Sequence, residues 1–229
     1  MSLLSIIIPV LNEENNILKL LEHLKAASFD FNNIEIICVD GGSTDQTIVQ
    51  LKNSEIPFKI SKKGRALQMN AGAEMAKGKI LYFLHADTLP PKHFDLHIRN
   101  AVLKNWQAGC FRMQFAPSNL FLDFFAFLAQ FNLPICRGGD QSLFITKSLF
   151  DSNYGFNTTY KIYEDVEFTN RLYKHVNFKI LKSKVITSSR RYQQKGFLKL
   201  QYHFGIIHLK NLLGKGPNDL HNYYQKYIA

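Results

Sequence analysis

The chain is poor in cysteine and lacks a long uninterrupted apolar run, and each shortage excludes a class of protein. Its 229 residues include three cysteines, Cys38, Cys110 and Cys136, with no C-x-x-C pair and no even framework. This excludes a disulfide scaffold and a cysteine zinc site, and it favours a reducing compartment. No segment reaches the roughly 18 consecutive apolar residues that a bilayer span needs.

The amino-terminal segment also lacks the marks of a secretion signal. Residues 3–11 are apolar, but no basic segment precedes them and no small-residue cleavage site follows before Asn12-Glu13-Glu14. We therefore expect a cytoplasmic protein. A hydrophobic content of 46% and a charged content of 20% describe an ordinary globular chain with one or two domains.

Acidic residues are scarce towards the carboxyl terminus, whereas basic residues are not. The chain has 28 Lys+Arg against 18 Asp+Glu, a formal net charge of +10. From Lys184 onwards eight basic residues accompany one acidic residue, so this last fifth carries +7 of the excess. A basic region attracts the phosphates of nucleic acid, anionic lipid or substrate. A solvated basic face is the plainer alternative.

Apolar strands alternate with amphipathic helices through the first half. Strands are predicted at residues 5–10, 34–39 and 80–84, with helices starting near Asn12, Ser43, Gly64 and Pro90. This order predicts an α/β fold with a mostly parallel twisted sheet flanked by helices. Ligands of such sheets bind beyond the carboxyl ends of the strands, which makes the polar residues at those ends the site candidates.

The second half is less regular. Strands are predicted at residues 109–115, 142–146 and 185–187, and a helix from Glu164 to Tyr173. The apolar stretch 120–131 predicts a helix in the core rather than at a membrane. Residues 197–213 and 219–228 predict two amphipathic helices at the carboxyl terminus.

Two strand-end motifs can contribute to binding a phosphorylated ligand, one through a divalent cation and one through its backbone. In His85-Ala86-Asp87 the outer two side chains point the same way, and the carboxylate can hold Mg²⁺ or Mn²⁺. In Asp40-Gly41-Gly42-Ser43 the glycines permit close approach to a ligand before a helix amino terminus. The alternatives are a turn-capping aspartate and a plain strand-to-helix turn.

Two further motifs lie in the second half. Glu164-Asp165 stands at a predicted helix start, where the helix dipole favours an ionised carboxylate that can accept a proton. Ordinary amino-terminal helix charge is the alternative. Gly138-Gly139-Asp140-Gln141 is a tight loop with two polar side chains before a strand.

The order of these motifs resembles glycosyltransferase family 2. The resemblance covers residues 3 to about 190 and is carried by Ile7 through Glu14, Val39 through Asp45, Gly64 through Gly72, Phe83 through Thr88, and Glu164-Asp165. Gly138-Gly139-Asp140-Gln141 and Ser189-Arg190-Arg191-Tyr192 further resemble a small single-domain subgroup named for arsenosugar biosynthesis.

The resemblance implies a GT-A fold and an inverting, hexosyltransferase-like enzyme. It would move a sugar from a nucleotide-diphospho-sugar to an acceptor hydroxyl with a divalent cation, Mn²⁺ or Mg²⁺. Residues 1–105 would form the nucleotide-sugar-binding half of one domain spanning 1–229, residues 106–190 the acceptor half, and residues 191–229 a basic helical tail.

The family's functional residues match particular positions here. Asp165 would match the general base, Asp87 the metal-binding aspartate of the D-x-D motif, and Asp40 the acid that contacts the nucleotide base. The sequence departs from that pattern at His85, which replaces the first aspartate of D-x-D. The expected substrate-binding residues are Pro9, Asn12, Glu13, Asp40, Gly41, Gly42, Arg65, His85, Gly139, Asp140, Gln141, Glu164, Arg190 and Arg191.

Other functions remain open from the sequence. One is a non-catalytic GT-A-type binding or scaffold protein at a membrane surface, and another is a nucleotidyltransferase. We expect no nucleic-acid partner, because the aromatic residues form no RNA-binding signature. The acceptor is unidentified, and a lipid-linked acceptor is one candidate.

The basic tail raises the question of membrane contact. In helix 197–213 the apolar side chains of Phe197, Leu200, Phe204, Ile207 and residues 209–213 are flanked by Lys195, Lys199, Lys210 and Lys215. Such a helix can lie at the inner face of the membrane beside anionic head groups. Packing of its apolar face on the sheet domain is the alternative.

Overall fold

A computed structural model describes residues 2–229 of the chain. The strands are Leu4–Val10 (β1), Ile34–Asp40 (β2), Phe58–Ile60 (β3), Ile80–Phe83 (β4), Thr88–Leu89 (β5), Ala108–Ala116 (β6), Leu143–Thr146 (β7) and Phe178–Ser188 (β8). The helices are Ile17–Ala27 (α1), Thr47–Asn53 (α2), Arg65–Met75 (α3), Phe94–Leu103 (α4), Leu120–Leu128 (α5), Lys147–Ser152 (α6), Glu164–Tyr173 (α7), Arg190–Lys195 (α8), Phe197–Leu212 (α9) and Pro217–Tyr227 (α10).

All eight strands join one sheet, in the order β3-β2-β1-β4-β7-β6-β8-β5. The β1–β2, β1–β4, β2–β3 and β6–β8 pairs are parallel. The β4–β7, β6–β7 and β5–β8 pairs are antiparallel. The predicted α/β fold with a mostly parallel sheet is therefore confirmed.

The continuous apolar run of β1 is explained by burial on both faces of the sheet. Leu4, Ile6 and Ile8 belong to one core cluster, which also contains residues of α1, α2 and α4. Ile7 belongs to a second cluster with residues of α3, α6 and α7. Because side chains alternate along a strand, a strand covered on both sides is apolar at nearly every position, and its one polar residue, Ser5, donates to Glu35 Oε2 at 2.5 Å.

The sheet has to curl, because the chain leaves its centre and reaches its far edge within a few residues. Strands β4 and β5 stand four places apart in the sheet, which is ~19 Å in a flat sheet with ~4.8 Å spacing. Phe83 and Thr88 can be at most ~18 Å apart even in a fully extended chain. The segment turns instead, since Thr88 N donates to the His85 carbonyl at 3.1 Å.

Three predicted helix starts come too early. α1 begins at Ile17 and not next to Asn12, α2 begins at Thr47 and not at Ser43, and α4 begins at Phe94. The polar side chains expected to cap the first two helices instead join two loops. Ser43 Oγ accepts from Asn12 N at 2.8 Å, and Asn12 Oδ1 accepts from Thr44 N at 2.8 Å.

The expectation of a core helix at residues 120–131 is wrong. The helix ends at Leu128, and of its side chains only Leu122 is buried. Leu120 is 90% exposed, Phe124 56% and Phe127 55%. The helix is apolar on all sides, but β6 is its main neighbour, so the apolar side chains that face away from β6 stay exposed.

The carboxyl-terminal region folds as a helical unit beside the sheet. Helix α8 was not predicted, and β8 starts seven residues before the predicted strand at 185–187. Leu200 and Ile207 of α9 pack with Leu220 of α10 and with Ile228. None of the helices in the described residues has both the length and the apolar character required to cross a membrane.

A buried ion pair fastens α4 to the loop that follows α1. Asp95 and Arg99 are 0% and 4% exposed, and their side chains join at 2.5 Å. Asp95 also accepts from Phe29 N at 2.7 Å and Asp30 N at 3.0 Å, while Arg99 Nη2 donates to the Asn33 carbonyl at 2.7 Å. Both charges are therefore satisfied inside the protein.

Removing one member of this pair leaves the other charge buried without compensation. We expect Asp95→Ala to lower the free energy of unfolding by about 3–5 kcal/mol, measured by urea denaturation. Asp151→Ala is the matched control, because Asp151 is exposed and its side chain makes none of the described hydrogen bonds. Equal losses in the two variants would contradict a special role for the pair.

Candidate active site

Polar loops converge where β1, β2 and β4 end. The Asn12 and Ser43 bonds described above tie the first two loops together, and Glu13 N donates to Thr47 Oγ1 at 2.8 Å. Glu13 lies close enough to His85 and Asp87 of the third loop for both to influence its pKa. The fold therefore brings the predicted strand-end residues to one place.

The carboxylate of Asp40 accepts hydrogen bonds from the loop that follows it. Asp40 is fully buried, and its carboxylate accepts from Gly42 N at 2.7 Å, Ser43 N at 2.9 Å and Ser43 Oγ at 2.5 Å. Gly42 has a φ of 93°, a conformation that glycine adopts without strain. Contact between Asp40 and a nucleotide base would require these bonds to open, and it stays a prediction.

Gln68 of α3 is a positioning residue that the sequence did not reveal. Its side chain is 2% exposed, and Nε2 donates to the carbonyls of Val10 and Val39, both at 2.8 Å. It thereby joins the ends of β1 and β2. Gly41 lies directly next to it, and a Cβ added to Gly41 would come within 3.0 Å of the Gln68 side chain. Pro9 lies buried in β1.

Acidic side chains crowd the end of β4. Burial raises the pKa of Glu13, and the nearby carboxylate of Asp87 raises it further. Desolvation by the surrounding protein raises the pKa of Asp140, and the carboxylates of Asp87 and Asp165 raise it further. His85 has the opposite effect. His85 Nδ1 lies 4.0 Å from Asp140 Oδ1.

Gly139 brings Asp165 and His85 together. A Cβ on this residue would overlap Asp165 Oδ2 and would lie 2.7 Å from His85 Cε1. Only hydrogen at this position leaves both side chains in place. Gln141, two residues further along the chain, is 1% exposed and donates to the Ala129 carbonyl at 2.9 Å. This bond attaches the loop to the residue that follows α5.

Asp165 is held at the start of α7, as predicted from its sequence position. Its Oδ1 accepts from Val166 N at 2.8 Å, which fixes the direction of the carboxylate. The preceding Glu164 is 1% exposed, with Oε1 2.7 Å from Arg65 Nε. Burial raises the pKa of Glu164 to about 7, against the opposing effect of Arg65.

The two arginines expected over a diphosphate point in different directions. Arg190 Nη2 lies 3.6 Å from Glu13 Oε1 at the rim of the site. The guanidinium of Arg191 instead stacks on Phe204 and Tyr224, 5.5 and 5.2 Å from the ring centroids. An action of Arg191 on a phosphate would require it to leave these rings, and it stays a prediction.

The donor groups fit a divalent cation. Five carboxylates (Glu13, Asp87, Asp140, Glu164 and Asp165) approach one another, with the guanidinium groups of Arg65 and Arg190 among them. Within residues 2–229, no three His, Cys, Asp or Glu side chains are already grouped to hold a metal ion. Mg²⁺ and Mn²⁺ commonly take one or two carboxylates and complete their shell with water and substrate phosphates, which this arrangement permits.

Comparison with known proteins gives one matching family. The model of "Glycosyl transferase family 2" matches residues 5–119, half of the chain. The glycosyltransferase AglE of Haloferax volcanii is 34% identical over 93 residues, 38% of this chain and 31% of that protein. Dodecaprenyl-phosphate galacturonate synthase of Rhizobium johnstonii is 30% identical over 98 residues, 37% of this chain and 28% of that protein. The matches span about a third of these relatives' length.

Solved structures share the fold. Staphylococcus aureus TarS 1–349 in complex with UDP has a TM-score of 0.63 and 22% identity, over 81% of this chain and 60% of that chain. The mannosyltransferase PcManGT of Pyrobaculum calidifontis, in complex with GDP-Man and Mn²⁺, has a TM-score of 0.70 and 17% identity, over 97% and 69%. At these identities the likeness establishes the GT-A-type fold alone, as predicted.

The contact at Gly139 can be tested without knowing the reaction. We expect Gly139→Ala to displace His85 or Asp165, and so to shift the His85 imidazole signals in NMR spectra and lower stability by about 1–3 kcal/mol. Gly138→Ala is the matched control, since a Cβ there would meet nothing within 4 Å. Unchanged His85 signals in Gly139→Ala would contradict the described packing.

Proposed function

Because the chain belongs to glycosyltransferase family 2, we propose that it moves a sugar from a nucleotide-diphospho-sugar to an acceptor hydroxyl with inversion. The observation that carries the proposal is the placement of Asp165. Its carboxylate is oriented by Val166 N and lies against Gly139, facing the strand ends that carry His85 and Asp87. A base on one side of a phosphate-binding edge is the arrangement that a single displacement requires.

Each step of the reaction is then assigned to a group of this chain. Asp165 accepts the proton of the acceptor hydroxyl while the oxygen of that hydroxyl bonds to the anomeric carbon of the sugar. The bond from that carbon to the diphosphate breaks at the same time. Arg65 and Arg190 stand at the edge where negative charge develops on the leaving diphosphate and stabilise it. Asn12, Glu13 and the loop after Asp40 surround the nucleotide.

Asp87 is the residue proposed to hold the divalent cation, with His85 and Asp140 beside it. A bound Mg²⁺ or Mn²⁺ would neutralise charge on the diphosphate as the sugar departs. Support comes from the excess of carboxylates over guanidinium groups around Asp87, which a divalent cation offsets. Further support is the Mn²⁺ named with the similar PcManGT structure.

Names of similar proteins support the choice of ligands. UDP and GDP-Man accompany the structurally similar proteins, so we propose a nucleoside diphosphate sugar as donor here. The name of the Rhizobium relative contains a dodecaprenyl phosphate, and on this basis we propose a lipid-linked acceptor. Residues 1–105 would hold the donor and residues 106–190 the acceptor. The alternative of a non-catalytic binding protein is disfavoured by the presence of both Asp87 and Asp165.

The proposed role of Asp165 as a base can be distinguished from a general effect of removing a negative charge from this helix. We expect Asp165→Asn to reduce sugar transfer by roughly 10²–10⁴-fold, the usual contribution of a general base, with donor affinity near wild type. Transfer is measured as release of nucleoside diphosphate, and affinity by calorimetry. Glu167→Gln removes one charge from the same helix turn, where Glu167 pairs with Arg171 at 2.7 Å, and should remain active. An equal loss in both variants would remove Asp165 from this role.

Asp87 is tested through the phosphates. We expect Asp87→Asn to weaken Mn²⁺-dependent binding of UDP or GDP by roughly tenfold or more, while binding of the free nucleoside changes little. The metal contacts the phosphates and not the base, and tenfold corresponds to about 1.4 kcal/mol. Calorimetry with and without Mn²⁺ gives both values. Similar losses for nucleotide and nucleoside would point to a disturbed strand end instead.

A further inference from the structure

Helix α9 carries apolar side chains on two opposite faces. Leu200 and Ile207 are 1% and 3% exposed and pack towards α10. The opposite face is open and carries Leu198, Tyr202, Leu209 and Leu212, exposed by 73%, 64%, 51% and 71%. At 3.6 residues per turn these four form one stripe along the helix. Packing of one apolar face is therefore observed, although against α10 and not on the sheet domain, while the second face is open.

The outer stripe of α9 continues onto a neighbouring segment. Leu133 and Ile135, 54% and 60% exposed, line an apolar groove whose other wall includes His208 and Leu212 of α9. Residues 131–135 in turn continue from α5, whose open side carries Phe124 and Phe127. We call the open side of α5, residues 131–135 and the outer stripe of α9 together the apolar surface.

The apolar surface is held in place from inside the protein. Arg137 is 4% exposed, and its Nη2 donates to the carbonyls of Ala129 and Phe131, both at 2.5 Å. Its Nη1 lies 3.2 Å from Cys110 Sγ in the core. A buried cation thus fixes the backbone that presents the exposed rings, which means that their exposure is built into the fold.

The charges around the outer stripe of α9 are mainly basic. Between Arg190 and the last residue there are seven basic residues and one acidic residue, Asp219. Lys199 and Lys210 are eleven residues apart on α9, close to three turns, so they stand along the same border of the outer stripe. On α5 the one acid, Asp123, already accepts from Ser118 Oγ at 2.8 Å.

We propose that the apolar surface docks this protein on an anionic lipid bilayer. Exposed Leu, Phe and Tyr side chains would enter the acyl boundary, while Lys199 and Lys210 meet anionic head groups. A second copy of the chain is the less suitable occupant, because pairing of these surfaces would bring two basic regions together. The groove also contains Tyr163 and Val166, the neighbours of Asp165, so the bilayer would lie beside the candidate active site.

The test is binding of the purified chain to vesicles. We expect co-sedimentation with phosphatidylcholine vesicles that contain phosphatidylglycerol, much weaker binding without phosphatidylglycerol, and loss of binding as salt rises. The Lys199→Gln, Lys210→Gln variant should bind roughly 25-fold more weakly at low salt. The matched control removes two exposed lysines elsewhere, Lys52→Gln and Lys104→Gln. This control should bind as well as wild type.

The apolar contribution is tested separately. Leu209→Gln with Leu212→Gln should weaken vesicle binding by roughly tenfold or more, at an unchanged melting temperature. Leu103→Gln is the control, since Leu103 is 79% exposed on α4, outside the apolar surface. Nucleotide binding of all variants should match wild type, which separates this proposal from that of sugar transfer.

Two results would overturn the proposal. One is a wild-type protein that stays in the supernatant with anionic vesicles at low salt. The other is a dimer, seen by sedimentation velocity, that Leu209→Gln with Leu212→Gln dissociates while vesicle binding is unaffected. That result would assign the outer stripe of α9 to self-association.

Discussion

The chain passes from the centre of the sheet to its far edge within the four residues that separate β4 from β5, and the position of the site depends on that passage. The short connection forces the sheet to curl until the end of β8 meets the loop between β4 and β5, where Ser188 N donates to the Asp87 carbonyl at 3.1 Å. Arg190 follows directly and reaches Glu13. Residues more than a hundred positions apart thereby share one edge.

Electrostatic repulsion is the cost of this convergence. Five carboxylates approach one another, and burial makes several of them harder to ionise. The protein offsets part of the negative charge with Arg65, which pairs with Glu164, and with Arg190, which stands near Glu13. The negative charge that remains is the basis of the cation site proposed above. The absence of a side chain at Gly139 leaves room for Asp165 and His85 to lie next to each other.

The second half of the chain combines two opposing requirements. It has to cover the sheet, and it also keeps a large apolar area in contact with solvent. Arg137 makes this possible, because one buried guanidinium satisfies the carbonyls where α5 ends and so holds the exposed segment rigid. Helix α9 satisfies both requirements with opposite faces, one against α10 and one open. An apolar surface of this kind is usually a contact site.

The sequence by itself determined the α/β class, six of the eight strands, and the existence of the first-half helices, but not the short strands β3 and β5. Strands buried on both faces are largely apolar, and the polar residues that follow parallel strands meet at one edge, so β1, β2 and β4 and the residues after them were predictable. Helix α7 with Asp165 at its start was equally clear. Helix starts were not, because Asn12 and Ser43 bond across two loops and not to the nearest helix.

Only the tertiary structure decided which apolar residues are covered and which polar groups are already engaged. Apolar side chains occur on α5 and on both faces of α9, and neighbouring elements decide which of them are covered and which stay open. The same holds for Asp40, whose carboxylate is occupied by its own loop, for Arg191, which stacks on two rings, and for Gln68, which joins two strands. Local pattern fixes what a residue can do, whereas contacts between distant segments select which of those interactions is made.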